Sequence, residues 1–217
     1  MLSDRIIREL EEAEVKRGDP LVVVDADEVL VHFADDFAHF CAAREITFAL
    51  KEYRLDTAFT DKDGWPLTRD RIDPLLHEFI DNHTHEQREI DGAREALASL
   101  AADAQVVVLT NAPVRVRDER IVNLKALGMD YPVIVNEGGK GRALNWLQSR
   151  ADAPVAFVDD SPIQHESAAK HAEPVRRLHL IGSVLAQPVT PPAEHAHHHT
   201  NCWVEAEALI RRAIAAL

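Results

Sequence analysis

Four acidic residues fall into two pairs, Asp25 and Asp27 in LVVVDADEVL and Asp159 and Asp160 in PVAFVDDSP, and each pair closes a short apolar run. Asp25 and Asp27 are two residues apart, so in extended geometry their side chains leave the same side of the chain and converge just beyond the carboxyl end of the run. Like charges held that close repel one another and call for a counter-ion. A hard divalent cation with oxygen ligands, Mg²⁺ in the first instance, meets that need. A lone D-x-D reads equally as a strand end with two solvated acids. The second pair changes the balance, because four carboxylates at one place are strongly unfavourable without a cation. One acid of that second pair could instead cap the helix that Ser161 and Pro162 begin.

Two further residues fall between the pairs. QVVVLT ends in Thr110 and is followed by Asn111, Ala112 and Pro113. Pro113 suits a first helical turn and Thr110 or Asn111 its cap, which puts a hydroxyl and free backbone N–H groups where an anion is favoured; an ordinary cap would use the same residues. GGKGRALNWL sets Lys140 between glycines at the start of a helix. A cation is unfavourable at that end of a helix unless an anion lies nearby, the alternative being a solvated loop lysine. The order is thus acid pair, hydroxyl, lysine, acid pair.

The elements that must position these groups follow from pattern. Leu21–Val24 reads as a buried strand of a parallel sheet, since it is short, β-branched and bounded by Pro20 and acids. Ser3–Arg17 reads as an amphipathic helix capped by Ser3 and stopped by Gly18. From Asp91 onward strands (QVVVLT, YPVIV, PVAFV, VRRLHLIG) alternate with helices, and WVEAEALIRRAIAAL closes the chain as a helix. That alternation predicts the α/β class, a Rossmann-like, mostly parallel sheet with helices on both faces, binding its ligands outside the carboxyl ends of the strands. Residues 34–90 differ: ADDFAHFCAAREI and RIDPLLHEFIDNHTHEQ read as helices around the turn-rich TDKDGWP. The expected organisation is a core of residues 1–33 and 91–217 with a small helical insertion over 34–90. The Pro- and His-rich segment from Pro188 to Thr200 reads as a loop. Its histidines 195, 197, 198 and 199 are open to three readings: a metal site, a border to the active-site mouth, or an ordinary polar loop.

The whole chain narrows the function classes. Its 217 residues are 46% hydrophobic, enough for a real core, and the 24 basic against 37 acidic side chains leave a formal charge of −13. That charge argues against a sequence-independent grip on nucleic acid or anionic lipid, so no nucleic-acid and no membrane partner is expected. It would also repel an anionic substrate unless a metal and basic groups act locally. Cys41 and Cys202 lie far apart with no paired framework, no apolar run approaches the length of a bilayer, and MLSDRIIREL is not a signal peptide. A reducing, cytoplasmic setting is the expectation.

Taken in order, VVVDADEVL, VVVLT, Lys140 and VAFVDD resemble the four motifs of the haloacid dehalogenase superfamily, over almost the whole chain. The insertion resembles in position the helical C1 cap of that superfamily, and DGAREALASL the segment that re-enters its core. The resemblance implies a Mg²⁺-dependent phosphohydrolase acting on a small phosphorylated substrate. Asp25 would be the nucleophile and Asp27 the general acid and base. Asp25, the Asp27 backbone carbonyl, Asp159 and Asp160 would hold the metal, the last directly or through water, and Thr110 and Lys140 would bind the phosphoryl oxygens. Asn111 is either a further phosphate contact or a cap. Glu28 stands where many relatives carry glycine. Phe33, Phe37, Trp65, Arg69 and Arg71 are the insertion's candidates for substrate contact. A non-catalytic module binding a phosphorylated ligand or a protein, and a phosphotransferase or mutase, are the alternatives.

Overall fold

The computed structural model describes residues 2–52, 54 and 57–215. In chain order the elements are α1 (Asp4–Glu12), β1 (Leu21–Val24), α2 (Ala34–Ala42), β2 (Thr47–Phe48), β3 (Phe59–Thr60), α3 (Arg69–His83), α4 (Ala93–Leu100), β4 (Gln105–Thr110), α5 (Arg117–Ala126), β5 (Val133–Val135), α6 (Gly141–Ala151), β6 (Val155–Asp159), α7 (Pro162–His171), β7 (Arg176–Leu180), β8 (His198–Thr200) and α8 (Trp203–Ala215). Six strands form one sheet in the order β5-β4-β1-β6-β7-β8, and every pairing in it is parallel. This is the Rossmann-like α/β architecture.

β1 lies at the centre, with Val24 in register with Val108 of β4 and Val158 of β6. Its four residues are fully buried, and strand alternation sends them to opposite faces. Val22 and Val24 pack with Leu97 of α4, Leu124 of α5 and Trp203 and Ile210 of α8. Leu21 and Val23 pack with Ile6 and Leu10 of α1, Leu144 and Leu147 of α6 and Ala168 of α7. Each such side chain contributes roughly 1.5–3 kcal/mol on burial, and the covering on both sides explains why the strand carries no polar residue until it ends in Asp25.

Residues 34–88 gather a third cluster, in which the ring of Phe37 lies 5.0–6.0 Å from those of Phe33, Phe40, Phe48, Phe59 and Phe79. The two connections to this cluster run side by side: Ile90 N donates to Leu30 O (2.9 Å), His32 N to Arg88 O (2.9 Å), and Arg88 Nε to Asp36 Oδ1 (2.5 Å).

Several expectations need correction. α1 stops at Glu12 rather than Arg17, because Glu14 takes a left-handed φ of 50°. Residues 34–90 are not wholly helical: β2 and β3 form an antiparallel two-stranded ladder, too short to show an alternation. The segment after β4 does not enter its helix at Pro113, whose ψ of 138° is extended; a 3₁₀ turn over Val114–Val116 precedes α5. The segment from Pro188 is not a loop throughout: it ends in a strand, β8, which pairs with β7 at the sheet edge.

The glycine after Lys140 has a steric reason. Gly141 N donates to Ser167 Oγ (3.0 Å), and a Cβ at Gly141 would run into the backbone carbonyl of Ser167. Gly141→Ala therefore forces α6 away from α7. Its expected cost is about 1–3 kcal/mol, read as a lower midpoint in urea unfolding with an unchanged slope.

Candidate active site

The sheet brings the separated motifs together because β1 has a neighbour on each side. Asp25 N donates to Val158 O (2.9 Å), so Asp25 leaves its strand level with Asp159 of β6, while Thr110 of β4 sits one step further along. Asp25 is buried, and its Oδ1 accepts from Ala26 N (2.7 Å). Carboxylate oxygens of Asp25, Asp159 and Asp160 lie within 4.8 Å of one another.

Lys140 enters this cluster from the first residue before α6, and only 1% of it is exposed. Its Nζ donates to Asp159 Oδ2 (2.6 Å) and lies 2.9 Å from Asp25 Oδ1. Burial alone would lower the Lys140 pKa, but the Asp159 and Asp25 carboxylates outweigh it and raise it, so the ammonium stays charged. Burial lifts the Asp25 carboxyl to about 6; Lys140 opposes the rise and Asp159 adds to it. Asp159 is raised chiefly by burial against the pull of Lys140. Asp160 is raised well above the usual carboxylate range by burial and by the charges of Asp159, Asp25 and Glu28. Hard oxygen donors that resist ionising together fit a divalent cation, whose charge would satisfy all three.

The other expected residues are placed as follows. Thr110 is buried and its hydroxyl accepts from Ala112 N (3.2 Å). Asn111 has both ends of its amide occupied: Nδ2 donates to Gly138 O (2.8 Å) and Oδ1 accepts from Asn136 Nδ2 (3.0 Å). The Asp27 side chain is partly exposed and turns to Arg120, whose Nη2 donates to its Oδ1 at 2.5 Å. Burial raises the Asp27 pKa, and Arg120 opposes this.

Glu28 has a left-handed φ of 62°, a backbone conformation that glycine adopts without strain. Its side chain folds inward, and Oε1 accepts from Ala34 N (2.5 Å) at the start of α2. Gly182 N donates to Glu28 O (2.7 Å), and Ser183 Oγ donates to Asp35 Oδ2 (2.6 Å), so the segment after β7 is tied to this turn. A cavity of about 320 Å³ results, with Glu28 and Asp160 beside the carboxylate cluster and Phe33, Leu50, Ala186 and Val189 as apolar walls. Of the candidates from the insertion, Phe33 lines this cavity. Phe37 is buried in the aromatic cluster, Trp65 is 71% exposed, and Arg69 and Arg71 lie on the surface.

Three residues of the site give weak sequence signals. Arg120 is 1% exposed, and its Nη1 donates to Asn123 Oδ1 (3.1 Å), whose Nδ2 in turn donates to Gln87 O (2.8 Å). The signal available was spacing, since Arg120, Asn123, Leu124 and Leu127 share one face of α5 at i, i+3, i+4 and i+7. His165 and His179 support the loop of the carboxylate cluster from behind, donating from Nε2 to Asp159 O (2.9 Å) and Asp160 O (2.7 Å). Those bonds fix their tautomers, and His179 Nδ1, left as an acceptor, meets His199 Nδ1 at 3.1 Å. Of the histidines in the last loop, His199 thus touches the back of the site, whereas His197 Nδ1 accepts from Arg177 N (2.9 Å).

Lys140→Met would leave Asp25 and Asp159 buried without their counter-ion. Breaking such a pair costs about 3–5 kcal/mol. A carboxyl whose folded pKa lies above its unfolded value loses stability as pH rises between the two. The deficit of the variant in metal-free denaturant titrations should therefore be largest above about pH 6 and shrink toward pH 4, where the carboxyls are protonated.

No family model and no curated protein sequence matches the chain. Solved structures do. A HAD family hydrolase from Deinococcus radiodurans R1 is 17% identical and superposes with a TM-score of 0.61 over 89% of this chain and 95% of that one. A proposed haloacid dehalogenase-like hydrolase from Burkholderia xenovorans LB400 is 16% identical, with a TM-score of 0.62 over 91% and 99%. A proposed β-phosphoglucomutase from Thermotoga maritima is also 16% identical, with a TM-score of 0.58 over 89% and 99%. The chain has the fold of the haloacid dehalogenase superfamily.

Proposed function

We propose that this protein is a Mg²⁺-dependent phosphohydrolase that cleaves a small phosphomonoester through an aspartyl-phosphate on Asp25. The observation that carries the reading is the buried Asp25 carboxylate at the carboxyl end of the central strand, held by Lys140 and by Ala26 N beside Asp159 and Asp160. The Deinococcus neighbour was solved with phosphate and sodium bound, which supports a fold of this kind accepting an anion and a cation.

A phosphate ester resists attack because nucleophile and target are both negative, so catalysis consists mostly of placement and charge neutralisation. An Asp25 carboxylate oxygen attacks phosphorus and the bond to the leaving oxygen breaks, with Asp27 delivering the proton that the alcohol needs. Asp27, now ionised, takes a proton from the water that cleaves the acyl phosphate and releases inorganic phosphate. Lys140 and Thr110 bind the equatorial oxygens. Asp25, Asp159, Asp160 and the Asp27 backbone carbonyl would hold Mg²⁺, which when bound supplies positive charge to the transferring group. Asn111 acts at one remove, fixing the loop that leads to Lys140 through Gly138.

A second reading, phosphoryl transfer to an acceptor alcohol, is favoured by the Thermotoga neighbour. It uses the same residues and differs only in what Asp27 deprotonates.

In a phosphomonoester panel, phosphate release should need Mg²⁺ and vanish in Asp25→Asn. Asp27→Asn should lose about 10²–10⁴-fold in kcat. Equal turnover by the native chain and Asp25→Asn would overturn Asp25 as nucleophile. Release that occurs only when an alcohol acceptor is added would favour transfer. The metal has a readout of its own. The raised Asp25 carboxyl weakens the fold as pH climbs through about 4 to 6, and a bound cation removes that penalty. Mg²⁺ should therefore raise Tm clearly near pH 7.5 and little near pH 4.5.

A further inference from the structure

Of the four acids at the strand ends Asp27 stands apart, because its carboxylate is not one of the three that converge within 4.8 Å. It is held instead from α5, where Arg120 Nη2 donates to Asp27 Oδ1 (2.5 Å). Among the described residues nothing donates to Asp27 Oδ2, and Arg120 pairs with no other carboxylate. The Arg120 side chain is 2% exposed and that of Asp27 31%, so the pair joins a carboxyl that a substrate can reach to a cation that it cannot. A buried guanidinium is costly unless it is paired and hydrogen-bonded, which commits Arg120 to this contact. Its own direction is set from the other side. Nη1 donates to Asn123 Oδ1 (3.1 Å), and Asn123 Nδ2 donates to Gln87 O (2.8 Å) and His85 O (3.3 Å), on the segment returning from the aromatic cluster. Arg115, in the turn before α5, adds a second tie by donating from Nε to Asp81 Oδ1 of α3 (2.7 Å).

From this arrangement we infer that Arg120 is a positioning residue for the proposed reaction: it fixes the Asp27 carboxyl through Oδ1, leaves Oδ2 as the oxygen that carries the proton, and ties that placement to the insertion through Asn123. This rests on the phosphohydrolase reading and deepens it. A guanidinium has donors only, so the oxygen it binds must accept, and the proton of the carboxylic acid belongs to Oδ2. As Asp25 attacks phosphorus, the bond to the leaving oxygen breaks with its electron pair on that oxygen, and the Oδ2 proton moves there. Oδ2 later takes a proton back from the attacking water. A carboxyl free to turn would lose this geometry, and a misplacement of about 1 Å can cost on the order of a hundredfold in rate. The competing role for Arg120 is structural, an ion pair that merely fastens α5 to the turn after β1.

The leaving group separates the two roles. An alkoxide needs a proton as it departs, whereas p-nitrophenoxide is stable as the anion, so only an alkyl ester depends on a well-placed acid. The measurement is kcat/KM with Mg²⁺ for a primary alkyl phosphate and for p-nitrophenyl phosphate, in the native chain, Arg120→Met and Asn123→Ala. Arg120→Met should lose about ten- to a hundredfold more on the alkyl ester than on p-nitrophenyl phosphate. Asn123→Ala should shift the ratio in the same direction by less, since Arg120 remains. A merely structural arginine lowers the share of folded enzyme and costs both esters the same factor. Equal losses on the two esters in Arg120→Met, or an undiminished rate on the alkyl ester, overturn the proposal. Should Arg120→Met fail to fold, Arg120→Lys takes its place, keeping the charge but presenting a point donor instead of a planar fork. A loss confined to the alkyl ester then supports the proposal, and a uniform loss or none overturns it. Should the native chain release phosphate from neither ester, the phosphohydrolase reading fails by itself, and crystal structures of the native chain and the folded Arg120 variant decide the placement. An Asp27 carboxylate that turns in the variant keeps Arg120 as its positioning residue, and an unchanged one removes it.

Discussion

An ammonium group with almost no access to water sits between two carboxylates that have none to spare, and most of this protein's local structure follows from keeping it there. Lys140 contacts both Asp25 and Asp159. Asp25 and Asp159 can share that contact because β1 and β6 are neighbours in the sheet, and Lys140 joins them from the residue before α6. A lysine at the start of α6 opposes the helix dipole, and the two acids are what make the position tolerable. The residue next to it must be glycine because α7 passes too close for a side chain. The cluster is nevertheless one positive charge against three converging acids, and burial raises all three carboxyls against the opposing pull of Lys140.

Rigidity at the site comes from polar groups that act on the backbone rather than on the reacting atoms. His165 and His179 hold the Asp159 and Asp160 carbonyls, and Asp159 Oδ1 accepts from Ser161 N (2.8 Å), so the loop that ends β6 is fixed on both sides. Asp27 is held differently. Arg120 reaches it from α5, Asn123 holds Arg120, and Asn123 is bonded to the carbonyls of His85 and Gln87 on the segment returning from the aromatic cluster. Asp27 is thus joined by hydrogen bonds to the segment returning from the aromatic cluster, while Asp25 is held by Ala26 N, Val158 O and Lys140 of the core.

How much of this was readable in the sequence depends on the kind of signal each residue leaves. Asp25 and Asp159 were readable because a buried strand that stops at an acid breaks an apolar run sharply. Lys140 was readable because its charge conflicts with its place at a helix start. The alternation of elements from Asp91 gave the parallel sheet directly. What escaped left no periodic trace. Two-residue strands such as Thr47–Phe48 and Phe59–Thr60 are shorter than one repeat of any pattern, and β8 is made of histidines and threonine rather than apolar residues. The early end of α1 rests on the backbone of Glu14, a residue with no special preference for a left-handed turn. Arg120, His165 and His179 are buried polar residues whose partners are backbone carbonyls or a side chain about ninety positions away, and pairing of that kind is fixed only by the completed fold.

The cavity beside the carboxylate cluster is walled from both sides, by the sheet core and by the segment that carries the aromatic cluster. Glu28 and Asp160 belong to core segments, and Ala186, Val189 and Thr190 belong to the segment after β7; Phe33, Ala34, Leu50 and Arg54 come from the insertion and its connection. The segment after β7 is fixed to the turn after β1 by Gly182 N on Glu28 O and to α2 by Ser183 on Asp35. A left-handed Glu28 is what makes this possible, since that backbone turns the carboxylate inward against Ala34 and presents its own carbonyl to Gly182. The same backbone would be free of strain with glycine, so a glutamate there costs stability and needs a return that its side chain must provide. One oxygen provides part of it by capping α2. The other is buried, and with Ser183 beside the carboxyl the turn after β1, the start of α2 and the segment after β7 meet at one side chain.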